Sequence, residues 1–168
     1  MEFRLAKIND LPAVQAMYRA LISDLRARGL DLWSDYYPCE FFIRDIEMNR
    51  LYLLSEGETP AAAFALDDST LGSESVPWTF DAKKPLYLER LGVNPRFLRR
   101  GLGSFALSKA KETAKSRGAD CLRLFVIETN APAMALYEKN AFEKIDRLCH
   151  ETVDAGVTLH GYGYQCPL

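Results

Sequence analysis

The stretch from Leu86 to Phe142 constrains this chain more than any other. A strand-like run, LYLERLGV, passes directly into NPRFLRRGLGS and an apolar-periodic helix; a second strand follows, and then TNAPAMALYEKNAF. Where a strand hands over to a helix, the first helical N–H groups have no carbonyl one turn back and point at a common spot. Gly101 and Gly103 let an anion approach that backbone with no Cβ in the way, and Arg96, Arg99 and Arg100 add positive charge. The turn from Arg99 through Arg100, Gly101, Leu102, Gly103 and Ser104 therefore reads either as a phosphate cradle or as an ordinary glycine-containing helix start beside solvated arginines.

Around this stretch the pattern is β, α, α, β, β, β, α, β, α, β, β, which argues one mixed α+β domain over residues 1–168. Phe3 to Ala6 is a short strand, and Asp10 is placed as the cap of a helix with Pro12 in its first turn. Leu11, Val14, Met17, Tyr18, Leu21, Ile22 and Leu25 keep helical spacing up to Gly29. Glu40 to Met48 is a second, short helix, and Leu51 to Glu56 with Ala61 to Leu66 form a hairpin. Asp67 to Lys84 has no periodicity and one conspicuous anchor, Trp78. Strand Leu86 to Val93, a helix from about Gly101 to Arg117, strand Cys121 to Ile127 and helix Ala131 to Lys139 come next. Phe142 to Glu151 and Val157 to Gln165 close the chain as an antiparallel pair around Asp154 to Gly156.

Twenty-one Lys and Arg against 23 Asp and Glu give a net charge of −2, so no general nucleic-acid surface is expected and any anion site is local. No run approaches the roughly 18 apolar residues of a membrane span, and MEFRLAKIND has no apolar signal core; a soluble, cytoplasmic protein without a membrane partner is expected. Cys39, Cys121, Cys149 and Cys166 are scattered without CxxC or Cys/His pairing, so idle thiols are expected and no metal.

A Walker loop needs GxxxxGK, and no Lys falls there. A dinucleotide fingerprint fits better, with Gly101, Gly103 and Ala106 as GxGxxA and Glu128 as the ribose acid. Its weakness is position, since about 60 residues and one further helix follow where a long βαβ series is expected.

The two motifs together resemble the GNAT superfamily of N-acetyltransferases. Gly101 and Gly103 match its phosphate turn, although Leu98 stands where Arg or Gln is usual. Asn130, Ala133, Leu136, Tyr137, Glu138, Lys139 and Phe142 match its NxxAxxLYxxxGF pattern, with Ala141 replacing the usual Gly. The resemblance implies a mixed central sheet of about seven strands with helices on both faces and a bulged strand 4. It also implies acetyl-coenzyme A as co-substrate. Leu91, Gly92 and Val93 would then meet the pantetheine arm, with the bulge expected at Gly92, while residues 99–104 hold the pyrophosphate and Asn130 and Ala133 the coenzyme arm. Asn130 equally suits a plain helix cap. A dimer is common in such a family.

The implied reaction is direct attack of a primary amine, on a small molecule or peptide, on the thioester in a ternary complex. Alternation puts Glu89 on the face of Tyr87, Leu91 and Val93, where it either takes the amine proton or pairs with Arg90 or Lys84. Tyr137 is read as the acid for the departing thiolate, and its spacing also suits packing. Trp33, Tyr36 and Trp78 are candidates for an acceptor pocket, joined by Tyr37, Tyr162 and Tyr164, with Asp31, Asp35 and Asp67 as possible cation guides or solvated loop charge. Two other readings stay open: a non-catalytic acyl-coenzyme A sensor on the same fold, and an NAD-type dinucleotide-binding protein.

Overall fold

The structure, a computed structural model, describes residues 1–34, 36–70, 72–153 and 157–168, the segments 151–153 and 157–159 by their backbone alone. Seven strands form one mixed sheet in the order β1-β2-β3-β4-β5-β7-β6. The elements run β1 (Glu2–Leu5), α1 (Leu11–Ala27), α2 (Phe42–Glu47), β2 (Leu51–Glu56), β3 (Thr59–Asp67), β4 (Pro85–Val93), α3 (Leu102–Ser116), β5 (Cys121–Ile127), α4 (Ala131–Lys139), β6 (Glu143–Val153) and β7 (Val157–Pro167). This is the order the sequence pattern predicts. Asp35, and the connection at Asp154 to Gly156, lie outside the described residues. Among the described residues no helix is long and apolar enough to cross a membrane.

The residues group into two compact units, Met1–Leu66 with Glu89–Ala110, and Asp67–Leu88 with Lys111–Leu168. In the first, β1, β2 and β3 pair antiparallel, with Leu53 facing Arg4 on one side and Ala63 on the other. Both faces of β2 are buried, which is why its sequence LYLL is continuously apolar. Leu51 and Leu53 pack with the stripe Val14, Met17, Tyr18 and Leu21 of α1, while Tyr52 stacks with Phe3 at 5.7 Å and Phe64 at 5.5 Å. Helix α1 stops because Gly29 takes a φ of 78°. Its N–H donates to Arg26 O and that of Leu30 to Leu25 O, both at 2.9 Å, closing the last carbonyls.

Asp10 does not cap α1 with its side chain. Its carboxylate accepts the Lys7 N–H at 2.6 Å and both Arg4 Nη groups at 2.7 and 2.8 Å, so it closes the turn Ile8–Asp10 that precedes the helix. A charged partner one strand away outcompetes the helix's own N–H groups.

In the second unit, β5 pairs parallel with the start of β4, Leu86 facing Leu122, and antiparallel with β7, Leu124 facing Tyr164. The aperiodic segment Asp67 to Lys84 is pinned by Trp78. Its indole N–H donates to Ser73 O at 2.9 Å, and the Arg123 guanidinium lies 4.5 Å over its ring. Gly163 is required beneath it, since a Cβ there would meet Val76 at 2.6 Å and Trp78 at 3.1 Å. The four cysteines are free and buried, and burial pushes the Cys39 and Cys121 thiols up, away from a reactive thiolate.

Candidate functional site

The connection from β4 to α3 is built by Asn94. This buried side chain donates to Pro60 O at 2.7 Å and accepts the Arg96 N–H at 3.0 Å, which closes the short turn Pro95–Phe97. Phe97 and Leu102 then pack with Ala61. Between these anchors the chain must reverse sharply. Arg99 and Gly101 do so with φ of 63° and 75°. A Cβ at Gly101 would meet nothing within 4 Å, so glycine is favoured there by the left-handed backbone alone and the turn is open on that side.

Helix α3 begins at Leu102, and the Phe105 N–H closes its first turn on Gly101 O at 3.1 Å. The N–H groups ahead of it have no carbonyl one turn back, and the helix dipole adds positive potential. Arg96, Arg99 and Arg100 are exposed beside them. Arg100 lies 5.0 Å over the Phe97 ring and holds Glu56 at 3.0 Å, and that hydrogen bond keeps the Glu56 carboxyl below the usual range. Donors and charge therefore suit an anion. Leu98, at the family's Arg or Gln position, is an exposed apolar side chain, and supplies no polar contact.

The second half of β4 departs from the sequence expectation. The left-handed residue within β4 is Arg90, with a φ of 55°. Gly92 is glycine because a Cβ would come within 2.7 Å of the Tyr18 ring. A left-handed residue interrupts the period of two, so the alternation that put Glu89 on one face with Leu91 and Val93 does not carry through Arg90. The Arg90 Nε and Nη2 bind Asp45 at 2.9 and 3.0 Å. Its Nη1 lies 3.7 Å from Glu89. Burial pulls the guanidinium pKa down, but the charges of Asp45 and Glu89 outweigh it and hold it above its ordinary value. Lys84, the other basic neighbour considered for Glu89, instead donates to Arg117 O at 2.6 Å.

On the second unit, Asn130 caps α4, its Oδ1 accepting the Ala133 N–H at 3.3 Å. Tyr137 is buried, with ring centroids 5.8 Å from both Phe142 and Tyr164. The end of α4 explains the family's usual glycine: Ala141 sits at a φ of 62°. The Phe142 N–H donates to Tyr137 O at 3.1 Å, the bond that a left-handed residue makes possible. Lys111 reinforces this end, its Nζ donating to Asn140 O and lying 4.7 Å over the Phe142 ring.

The aromatic candidates have diverse surroundings. Trp33 is half-buried, 5.7 Å from Tyr18; Tyr37 meets Trp33 and Phe41 edge-on; Tyr36 is 77% exposed. Tyr164 is buried, and its hydroxyl donates to Glu138 at 3.0 Å. Of the acids, Asp31 pairs with Arg26 at 3.2 Å and Asp67 accepts the Ser69 N–H at 3.3 Å. Thus Leu91, Gly92, Val93 and residues 99–104 fall on one continuous segment of the first unit, and in the second Ala133 and Tyr137 lie on α4 with Asn130 as its cap. Asp45 and Asn94 were missed by sequence reasoning, where only the Asn-Pro dipeptide at Asn94 and Pro95 carried a signal, whereas Arg90 was read as a pairing partner of Glu89, from which its Nη1 lies 3.7 Å.

The family model for the acetyltransferase (GNAT) family matches residues 14–142. The chain is 28% identical to the uncharacterized N-acetyltransferase YhfO of Bacillus subtilis over 152 residues, 89% of this chain and 95% of that protein. A shorter stretch of 52 residues is 46% identical to mycothiol acetyltransferase of Clavibacter michiganensis, spanning 31% of this chain and 17% of that longer protein. Among solved structures, a GNAT-family acetyltransferase from Streptococcus agalactiae superposes with a TM-score of 0.81 at 21% identity, over 99% of this chain and 95% of that one. The PaiA N-acetyltransferase of Thermoplasma acidophilum, solved with coenzyme A, superposes with a TM-score of 0.70 at 18% identity, over 99% and 98%. Because the matched span takes in β4, the glycine turn and α4 together, this chain belongs to the acetyltransferase (GNAT) family.

Proposed function

We propose that residues 1–168 act as one N-acetyltransferase domain that moves the acetyl group of acetyl-coenzyme A to a primary amine of a small molecule or peptide, within a ternary complex. The observation that carries this is the β4–α3 connection: left-handed Arg99 and Gly101 open a helix start to an anion beside exposed arginines. That donor set fits a pyrophosphate. Arg99, Arg100, Gly101, Leu102, Gly103 and Ser104 would hold it, the strand segment Leu91, Gly92 and Val93 would offer backbone groups to the pantetheine amides, and Asn130 and Ala133 would meet the coenzyme arm. The coenzyme supplies a thioester whose acyl carbon accepts a nucleophile.

The chain's own groups manage two protons. An alkyl ammonium, with a pKa of roughly 10.4, must lose one before it attacks. Glu89 takes it, directly or through water, before the N–C bond forms, and the second proton, shed by the nitrogen as it becomes an amide, restores the Tyr137 phenol. When the C–S bond breaks, the Tyr137 phenol gives its proton to the thiolate. Trp33, Tyr36 and Trp78 are proposed to border the acceptor.

Thermal-shift titration tests the coenzyme assignment. Acetyl-coenzyme A is expected to raise the melting temperature and NAD to leave it unchanged; stabilisation by NAD alone would replace this reading with the dinucleotide one.

A further inference from the structure

We propose that His150 and His160 together form a binding site for a divalent transition-metal ion of the nickel and copper kind, held by their two Nδ1 atoms. The two residues are cross-strand partners in the antiparallel pair β6 and β7, so their side chains leave the same face of the sheet at the short separation of directly opposed residues. Their Nδ1 atoms lie 2.6 Å apart, with the ring centroids at 4.7 Å and the ring planes at 83°. Ring nitrogens this close share one proton, the Nδ1–H of one imidazole donating to the Nδ1 lone pair of the other. Both residues are exposed, so an ion in water can reach the point where the nitrogens converge.

The backbone under the pair is fixed from several sides. Next to His160, Gly161 pairs with Ile127 of β5 and with Cys149 of β6, and the Glu128 N–H donates to the His160 carbonyl at 3.0 Å. Next to His150, the buried Cys149 packs with Val76 and Ile145. The two ligands are therefore in place before an ion arrives, which spares the entropy of bringing them together.

Their separation selects the ion. With metal–nitrogen bonds of about 2.0–2.1 Å, two ligands at a right angle stand about 2.9 Å apart and two at the tetrahedral angle about 3.3 Å. From 2.6 Å the rings must part by about 0.3 Å in the first case and about 0.7 Å in the second. Adjacent positions of an octahedral or square-planar ion fit with the smaller movement, which favours Ni²⁺ and Cu²⁺ over Zn²⁺. Ca²⁺ and Mg²⁺ take oxygen ligands and find none in this pair. Binding uses both Nδ1 lone pairs, so the ring that donated carries its proton on Nε2 instead and no proton leaves the pair. Among the described residues no group of three or more His, Cys, Asp or Glu could hold a metal ion; this is a two-ligand chelate, completed by water and exchangeable, that bridges β6 to β7.

The test is a calorimetric titration of the full chain, carrying no histidine tag, with Ni²⁺, which unlike Cu²⁺ does not oxidise thiols. The chain has only these two histidines, so no other imidazole competes. One Ni²⁺ per chain is expected, with Zn²⁺ binding less tightly, and His150→Gln and His160→Gln should each weaken Ni²⁺ binding by about tenfold or more. Absence of binding, the reverse order of the two ions, or a site left intact in either variant would overturn the proposal. A measurement on the unsubstituted protein needs no variant to fold: paramagnetic Ni²⁺ should broaden the two imidazole C–H signals in the proton NMR spectrum before any others, and broadening that begins elsewhere would be equally fatal. Neither readout depends on acetyl transfer.

Discussion

The Tyr18 hydroxyl lies 2.5 Å from the Arg90 carbonyl and 3.1 Å from that of Ala63, so one buried phenol on α1 ties the irregular point of β4 to β3. Burial pushes the phenol pKa well up, which keeps the proton in place for donation. A left-handed arginine in a strand persists only where its surroundings over-determine it, and this contact is one of them.

Tyr18→Phe keeps the ring and removes the donor. Loss of roughly 1–3 kcal/mol of stability is expected, the usual cost of leaving a buried acceptor without its partner. Urea unfolding measures it, and an unchanged midpoint would mean that the hydrogen bond to Arg90 contributes nothing.

Ala141 offers a gain instead. At a φ of 62° it occupies a conformation that costs an L-residue energy and glycine almost none. Ala141→Gly is expected to stabilise the fold by about 1 kcal/mol, read from the same unfolding curve. Destabilisation would indicate that the helix end tolerates alanine for a reason other than strain.

At the glycine turn, Gly103→Asp places a carboxylate within the first turn of α3, where the helix dipole favours it. The fold should therefore hold, while affinity for coenzyme A should drop more than about tenfold as the carboxylate faces the pyrophosphate, each 1.4 kcal/mol of repulsion being roughly a factor of ten. Calorimetric titration checks this, and unchanged affinity would move the anion elsewhere.

Asp10 gives a pH dependence. Its hydrogen bond to Arg4 holds the carboxyl below the ordinary 3.8. A depressed folded pKa contributes stability that is complete above the unfolded value and is lost as pH falls through the folded one. The fold should thus weaken as pH drops below about 4, and Asp10→Asn should flatten that part of the curve of urea midpoint against pH.

The order of elements was legible because apolar periods, glycine stops and a capped α4 are local features of the sequence. The turn was legible too, since a strand, two glycines and a helix are contiguous. What escaped was decided by distant contacts. Gly92 looked like a bulge because glycine in a strand often marks one, yet it is glycine because of Tyr18. The left-handed residue of β4 is an arginine, whose backbone conformation no local pattern announces. Asp10 was taken from its helix by Arg4, and Asp45 was invisible because its partner lies on another element. Such pairings are tertiary, and spacing along the chain does not encode them.

The most direct measurement follows free thiol while the protein is incubated with acetyl-coenzyme A and a library of amines, in parallel with Tyr137→Phe. The account predicts thiol release that depends on the acceptor, and a turnover in Tyr137→Phe lower by about a hundredfold or more with little change in coenzyme affinity. Coenzyme binding without any acceptor-dependent release would contradict it and make the protein a sensor; release that survives intact in Tyr137→Phe would contradict the role of Tyr137.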